Sequence, residues 1–239
     1  MNALLRAVAA HPGHELVAAA SAPRALALLR PLIPGLIDCR SWEELLVLEG
    51  LDAVIVAGSD EETLRAARQL AAAGKALLVA PVVGQAATFA YELTLLQADQ
   101  PTCFVPLFGW RAHPLVGRLR SLLSEGAIGE IRHIQLERRI APGDSPRDGS
   151  GLSSADIAAA FLPDADLLQS AWGDYNQVTA VRSGDPLSGI SLLTVTLGGP
   201  AAPQAVWSAT LADAEPRWRL HAVGQRGAVT LDGTGLDDR

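Results

Sequence analysis

The chain has 239 residues, 49% hydrophobic and 19% charged, with a formal net charge of −7. That length suits two domains, each with a core, and the acidic balance excludes a general nucleic-acid binder. No apolar run reaches the ~20 residues of a membrane span.

The first half alternates helix and strand. Asn2 to Ala10 reads as a helix, and it lacks the apolar centre and cleavage site of a signal peptide, so a cytoplasmic location is expected. Glu15 to Ala20 reads as a strand, Pro23 to Leu32 as a helix with proline in its first turn, and Leu36 to Arg40 as a short strand. Ser41 and Glu44 form a capping box for a helix through Leu48. Asp52-Ala-Val-Ile-Val-Ala-Gly58 is a buried parallel strand by its β-branched apolar run. Ser59 and Glu62 supply a second capping box, Leu64 to Ala73 continues that helix, Gly74 stops it, and Ala76 to Ala80 is the next strand. Gln85 to Gln97 reads as helix and Cys103 to Phe108 as the last strand. His113 to Glu125 is amphipathic, with Leu115, Val116, Leu119, Leu122 and Leu123 on one face. This order predicts a doubly wound α/β sheet.

The second half changes character. Glu130 to Ile140 alternates as a long strand, a loop of turn formers follows to Gly151, and Ser154 to Trp172 is helical with an interruption at Pro163. Strands at 177–182, 190–197, 204–211, 218–223 and 228–231 then predict a mostly antiparallel sheet. The expected division is 1–111 and 112–239. Cys39 and Cys103 read as packing thiols, and the five scattered histidines give no metal spacing.

Ser41-Trp-Glu-Glu-Leu-Leu46, Leu51-Asp-Ala-Val-Ile-Val56, Ala73-Gly-Lys75 and Gly126-Ala-Ile-Gly-Glu-Ile-Arg132, in this order and spacing, resemble the Gfo/Idh/MocA family of glucose–fructose oxidoreductase and inositol dehydrogenase. The resemblance implies an N-terminal Rossmann-like dinucleotide-binding domain and a C-terminal α+β domain for substrate and dimerisation. It also implies that the first strand and glycine-rich turn are missing, since Asn2 to Ala10 matches the helix after that turn. At the family's cofactor positions stand Ser21, Arg24, Ala57, Gly58, Ser59, Glu62 and Pro81. Ser21 with Arg24 suits a 2′-phosphate, favouring NADP slightly over NAD; as local structure the pair reads equally as a helix cap and a surface charge. Ala80 and Val79 occupy the positions of the family's Lys and its acidic neighbour, and the segment matching its catalytic His contains none. Asp164, with Asp166 near it, is the nearest polar group there and the candidate catalytic residue; Arg111 is the candidate substrate contact. The implied function is NAD(P)-dependent hydride transfer on a sugar-like or small carbonyl or hydroxyl substrate, in a homo-oligomer paired through the C-terminal sheet, with no metal. The alternative is an inactive homologue serving as a binding or partner subunit, or an incomplete fragment.

Overall fold

The computed structural model describes residues 2–58, 60–80, 91–92, 95–96, 98, 104–141, 151–184, 189–212 and 215–234, without side-chain surroundings at 2–4, 111, 112 and 155. It comprises two compact units, Met1–Leu107 and Phe108–Arg239. Among the described residues no helix is long and apolar enough to cross a membrane.

The first unit carries strands β1 (Ala18–Ala20), β2 (Ile37–Cys39), β3 (Ala53–Ala57), β4 (Ala76–Ala80) and β5 (Phe104–Pro106), with helices α1 (Asn2–Ala10), α2 (Pro23–Leu29) and α3 (Glu61–Ala72). All pairings are parallel, as β-branched runs joined by helices require. The strands form two separate sheets, ordered β1-β2 and β3-β4-β5. Pro106 sits on the outer strand, where its missing N–H breaks no ladder. Alternation along the strands feeds two apolar layers. Val56, Leu77 and Val79 pack with Trp42, Ala67 and Leu70 on the α3 side, whereas Ile55 joins Leu5, Leu26, Leu29 and Leu36 on the α1–α2 side. Helices therefore cover both faces, and the expected doubly wound α/β layer is present.

Local chemistry moves some boundaries. Asp60, not Ser59, caps α3: its carboxylate accepts from Thr63 N at 2.7 Å and from Thr63 Oγ1 at 2.5 Å, so Glu62 falls inside the first turn. Ser59 itself lies outside the described residues. The helix expected from Ser41 shrinks to a 3-10 turn, Trp42–Leu45, with no side-chain cap from Ser41; Glu44 Oε1 instead accepts from Arg40 N at 3.3 Å. At the other end of α3 the expected stop holds. Gly74 takes φ +76°, and the Lys75 amide donates to Leu70 O at 3.0 Å, closing the helix with a left-handed residue. Lys75 Nζ then donates to Leu51 O at 2.7 Å. The expected helix at Gln85–Gln97 falls largely outside the described residues.

The second unit is a six-stranded sheet ordered β11-β10-β6-β9-β8-β7. Its strands are β6 (Ile131–Ile140), β7 (Gln177–Ser183), β8 (Leu192–Gly198), β9 (Gln204–Leu211), β10 (Arg217–Gly224) and β11 (Ala228–Gly233). Only β6 and β9 run parallel; the other four pairings are antiparallel. One face, with Ile134, Leu136, Val195, Ala205, Trp207, Trp218 and Leu220, is buried with Val116 and Leu119 of α4 (Pro114–Ser124) and Leu167 and Leu168 of α5 (Ser154–Trp172). The other face alternates into half-buried and exposed residues, and β7 is exposed throughout. Pro163 does not interrupt α5, which is continuous across it. Proline removes one amide from the helix ladder, and burial of Asp164, Leu167 and Leu168 on the core side holds the helix together there.

Candidate functional site

In the first unit the C-terminal ends of β1 and β3 open into one cleft of about 300 Å³. Its wall includes Ser21 after β1, Ala57 and Gly58 after β3, and Asp60, Glu62 and Thr63 at the start of α3. Clefts beyond the carboxyl ends of parallel strands are where open α/β sheets hold ligands. Ser21 adopts φ +49°, the left-handed region, as the chain turns sharply from β1 towards Pro23 at the start of α2. Four sequence-predicted positions, Ser21, Ala57, Gly58 and Glu62, thus meet on one wall. Arg24 does not line it and is exposed on α2. Ser59 and Pro81 lie outside the described residues.

Trp42, Asp60 and Thr63 also line the cleft and were not anticipated as site residues. Trp42 is 7% exposed, its indole Nε1 has no hydrogen-bond acceptor among the described residues, and Arg65 Cζ stands 5.8 Å from the ring centroid. Its sequence setting, the first residue after Ser41, signals a helix start and nothing more. Asp60 was legible as a capping residue, not as a cleft carboxylate.

The hydroxyl and amide of Thr63 hold the Asp60 carboxyl below its ordinary range. A depressed native pKa makes the cap's contribution complete above the unfolded value near 4, and that contribution is lost as pH falls through the native value. Asp60→Ala is expected to cost about 1 kcal/mol at pH 7. Urea denaturation at neutral and acidic pH checks this: the difference between the two proteins should shrink in acid. Gly58 is required by its neighbour, because a Cβ there would stand 2.3 Å from Thr63 Oγ1, the hydroxyl that serves the cap.

The charge of this wall bears on what it can hold. Asp60 and Glu62 are its only ionisable side chains among the described residues, with no Lys or Arg. Acceptors and a serine hydroxyl match the hydroxyls of a ribose. A diphosphate finds neither a cation nor a free helix N-terminus here, since the α3 terminus is already occupied by Asp60. The described residues fit the nucleoside part of a dinucleotide and not its diphosphate.

The catalytic assignments fare differently. Val79 and Ala80 are buried at 4% and 6% exposure and carry no titratable group. Asp164 is wholly buried in the second unit, where the inward face of β6 places an arginine after Ile134 and Leu136. Arg138 Nε donates to Asp164 Oδ2 at 2.6 Å and its terminal nitrogen donates to Oδ1. Trp110 Nε1 donates to Oδ1 at 2.6 Å and Trp207 Nε1 to Oδ2 at 2.8 Å. Arg138 Cζ also lies 5.1 Å from the Trp110 ring, which meets Trp218 edge-on with centroids 4.7 Å apart. A carboxylate already accepting from two indoles and both arms of a guanidinium has no face left for substrate. In the structure Asp164, the candidate acid–base group, is the centre of a buried ion-pair network. Asp166, on the same helix, is half-buried, and no metal-binding group of His, Cys, Asp or Glu occurs among the described residues. The backbone of Arg111 lies in the 3-10 turn Gly109–Ala112; its side chain is outside the description.

No protein-family model matches the chain, and no curated protein does. Solved structures match it across nearly its whole length. A myo-inositol dehydrogenase from Corynebacterium glutamicum superposes with a TM-score of 0.78 at 19% identity, covering 97% of this chain and 72% of that one. The WlbA dehydrogenase from Bordetella pertussis, in complex with NADH and UDP-GlcNAcA, gives 0.74 at 16% identity over 98% and 72%. A scyllo-inositol dehydrogenase from Lactobacillus casei with bound NAD(H) and scyllo-inositol gives 0.73 at 15% identity over 95% and 71%. At such identities the likeness is one of fold: this chain has the two-domain architecture of these dehydrogenases.

Proposed function

We propose that the chain is an NAD(P)-dependent oxidoreductase-type protein acting on a sugar-like or cyclitol substrate bearing a hydroxyl or carbonyl. The observation that carries this reading is the cleft at the ends of β1 and β3, which gathers Ser21, Gly58 and Glu62 beyond the carboxyl ends of parallel strands, where open α/β sheets hold ligands; it is supported by neighbours of the same fold solved with NAD(H). The nicotinamide would supply hydride exchange with a substrate carbon. Ser21 and Glu62 would take ribose hydroxyls, and Arg24, exposed on α2 three residues after Ser21, is the cation that would favour a 2′-phosphate, hence NADP over NAD. Residues 1–111 form the nucleotide domain in this reading, and 112–239 carry substrate and pair two copies through the open sheet face.

A second reading, a catalytically silent binding or partner subunit, is favoured by the apolar Val79 and Ala80 and by the saturation of Asp164. One titration separates the readings from each other and from failure. NADPH and NADH fluorescence is followed on adding the chain, up to millimolar ligand, and turnover is then assayed with myo-inositol and related polyols. Binding, tighter for NADPH, is the expected result, and Gly58→Val should weaken it by displacing Thr63. Binding without turnover selects the silent subunit. No change in either dinucleotide's fluorescence overturns the proposal.

A further inference from the structure

On the open face of the second unit's sheet two like charges stand side by side. Strand register sets Arg139 of β6 opposite Arg217 of β10 on one side and Thr210 of β9 on the other. Arg138 before Arg139 and Trp218 after Arg217 point into the core, so alternation turns Arg139 and Arg217 to the face away from α4 and α5. Both are exposed. Directly opposed strand residues have Cβ atoms about 5 Å apart, and like charges so placed repel.

The neighbouring row is balanced from within. Arg219 stands opposite Glu137 and Asp232 and pairs with Asp232 at 3.6 Å, while Glu137 accepts from Gln135 Nε2 at 2.7 Å. The row of Arg139 and Arg217 runs on through Thr210 to Leu192 and Ser183 and has no carboxylate among the described residues. The ion pairs described in the second unit join Arg132 to Glu130, Arg138 to Asp164 and Arg219 to Asp232, and none includes Arg139 or Arg217. A cavity of about 750 Å³ opens at this unbalanced pair, and Thr210 lines it with both arginines. Leu211 and Ala212 give it an apolar wall, fixed where the Ala212 amide donates to Ile140 O at 2.8 Å, and Glu215 stands exposed on its rim.

We propose that this corner of the sheet is an anion site that takes a phosphoryl group between the Arg139 and Arg217 guanidiniums, with the Thr210 hydroxyl donating to a further oxygen. Two guanidinium forks match the oxygens of a tetrahedral dianion, and charge-assisted hydrogen bonds of this kind are the strong ones. A bound dianion also turns the repulsion across the β6–β10 ladder into attraction. The cavity lies in the size range of small-ligand sites. Beyond the arginines, Leu211 and Ala212 suit a carbon skeleton and Glu215 a hydroxyl, so the group is either free phosphate or the phosphate of a small polyol ester.

The test uses the whole chain without dinucleotide, at fixed ionic strength, so its outcome is independent of the function proposed above. Calorimetric titrations are made with inorganic phosphate, glycerol 3-phosphate and glycerol, and backbone amide shifts are followed at Thr210 and Arg217. Phosphate should bind and move both amides, and glycerol should do neither. Arg139→Met and Arg217→Met should each weaken binding about tenfold or more. Arg182→Met, which removes the same charge from β7, should change it little. Tighter binding of the ester, lost with Glu215→Ala, assigns the ester as the source; equal or weaker binding of the ester assigns free phosphate. Should a methionine variant not fold, the glutamine variant at the same position takes its place, with the same loss expected. The proposal is overturned if neither phosphate binds at millimolar ligand, or if all three arginine variants weaken binding alike, which is attraction by net charge alone. It is overturned too if Arg139→Met and Arg217→Met dissociate a dimer and leave phosphate binding unchanged, which assigns the pair to an interface between copies.

Discussion

Asp164→Asn is expected to destabilise the second unit by about 3–5 kcal/mol, the cost of leaving a buried charge without its counter-ion. Asp164 has no exposed surface and the Arg138 side chain is 11% exposed, so little water reaches either group. The asparagine amide would also present its own N–H groups to the indole and guanidinium donors that now meet carboxylate oxygens. Arg138→Met should cost a comparable amount, for the reciprocal reason. The double variant Asp164→Leu with Arg138→Met should recover only the part of the loss due to unpaired charge, because the Trp110 and Trp207 indole N–H groups stay buried without an acceptor. A double-mutant cycle by urea denaturation, with Asp164→Leu and Arg138→Met as its single variants, measures this directly. Silence of the single variants in stability, with loss of turnover on a polyol substrate, would restore Asp164 to the chemistry.

Leu70→Ala should cost the first unit about 2–5 kcal/mol through lost burial and the cavity left behind. Leu70 is 1% exposed, packs with Val56, Leu77 and Val79, and lies beneath the cleft wall. The damage should stay local. Amide exchange in β3 and β4 should accelerate while that in β6 and β9 keeps its protection, because the chain folds as two units, each with its own core. Uniform acceleration across both sheets would contradict independent cores. Dinucleotide binding, where present, should weaken with the same variant.

Most elements were legible because their signals are local. The β-branched run before Gly58, the glycine stop at Gly74 and the alternation of β6, β9 and β10 depend on neighbours in the chain, and each element stands within a few residues of its expected place. Caps were less certain. Ser59 and Asp60 are adjacent capping residues, and the choice fell to whichever side chain the incoming strand placed over Thr63 N. The helix expected after Ser41 failed for a related reason: Trp42 and Leu45 are both drawn into the core, and a tight 3-10 turn buries them together.

The candidate site divides along the same line. Composition and pattern alone established an acidic two-domain chain and a parallel layer followed by a mostly antiparallel one, since hydrophobic period and turn chemistry are written residue by residue; Ser21, Gly58 and Glu62 were singled out only through the family resemblance. Only the tertiary structure decided the role of Asp164, because its partners Trp110, Arg138 and Trp207 lie 54, 26 and 43 positions away. The same holds for the separation of β1 from β3. Strand pairing and buried charge are settled by long-range packing, where hydrogen-bond geometry and desolvation act between residues that no local pattern connects.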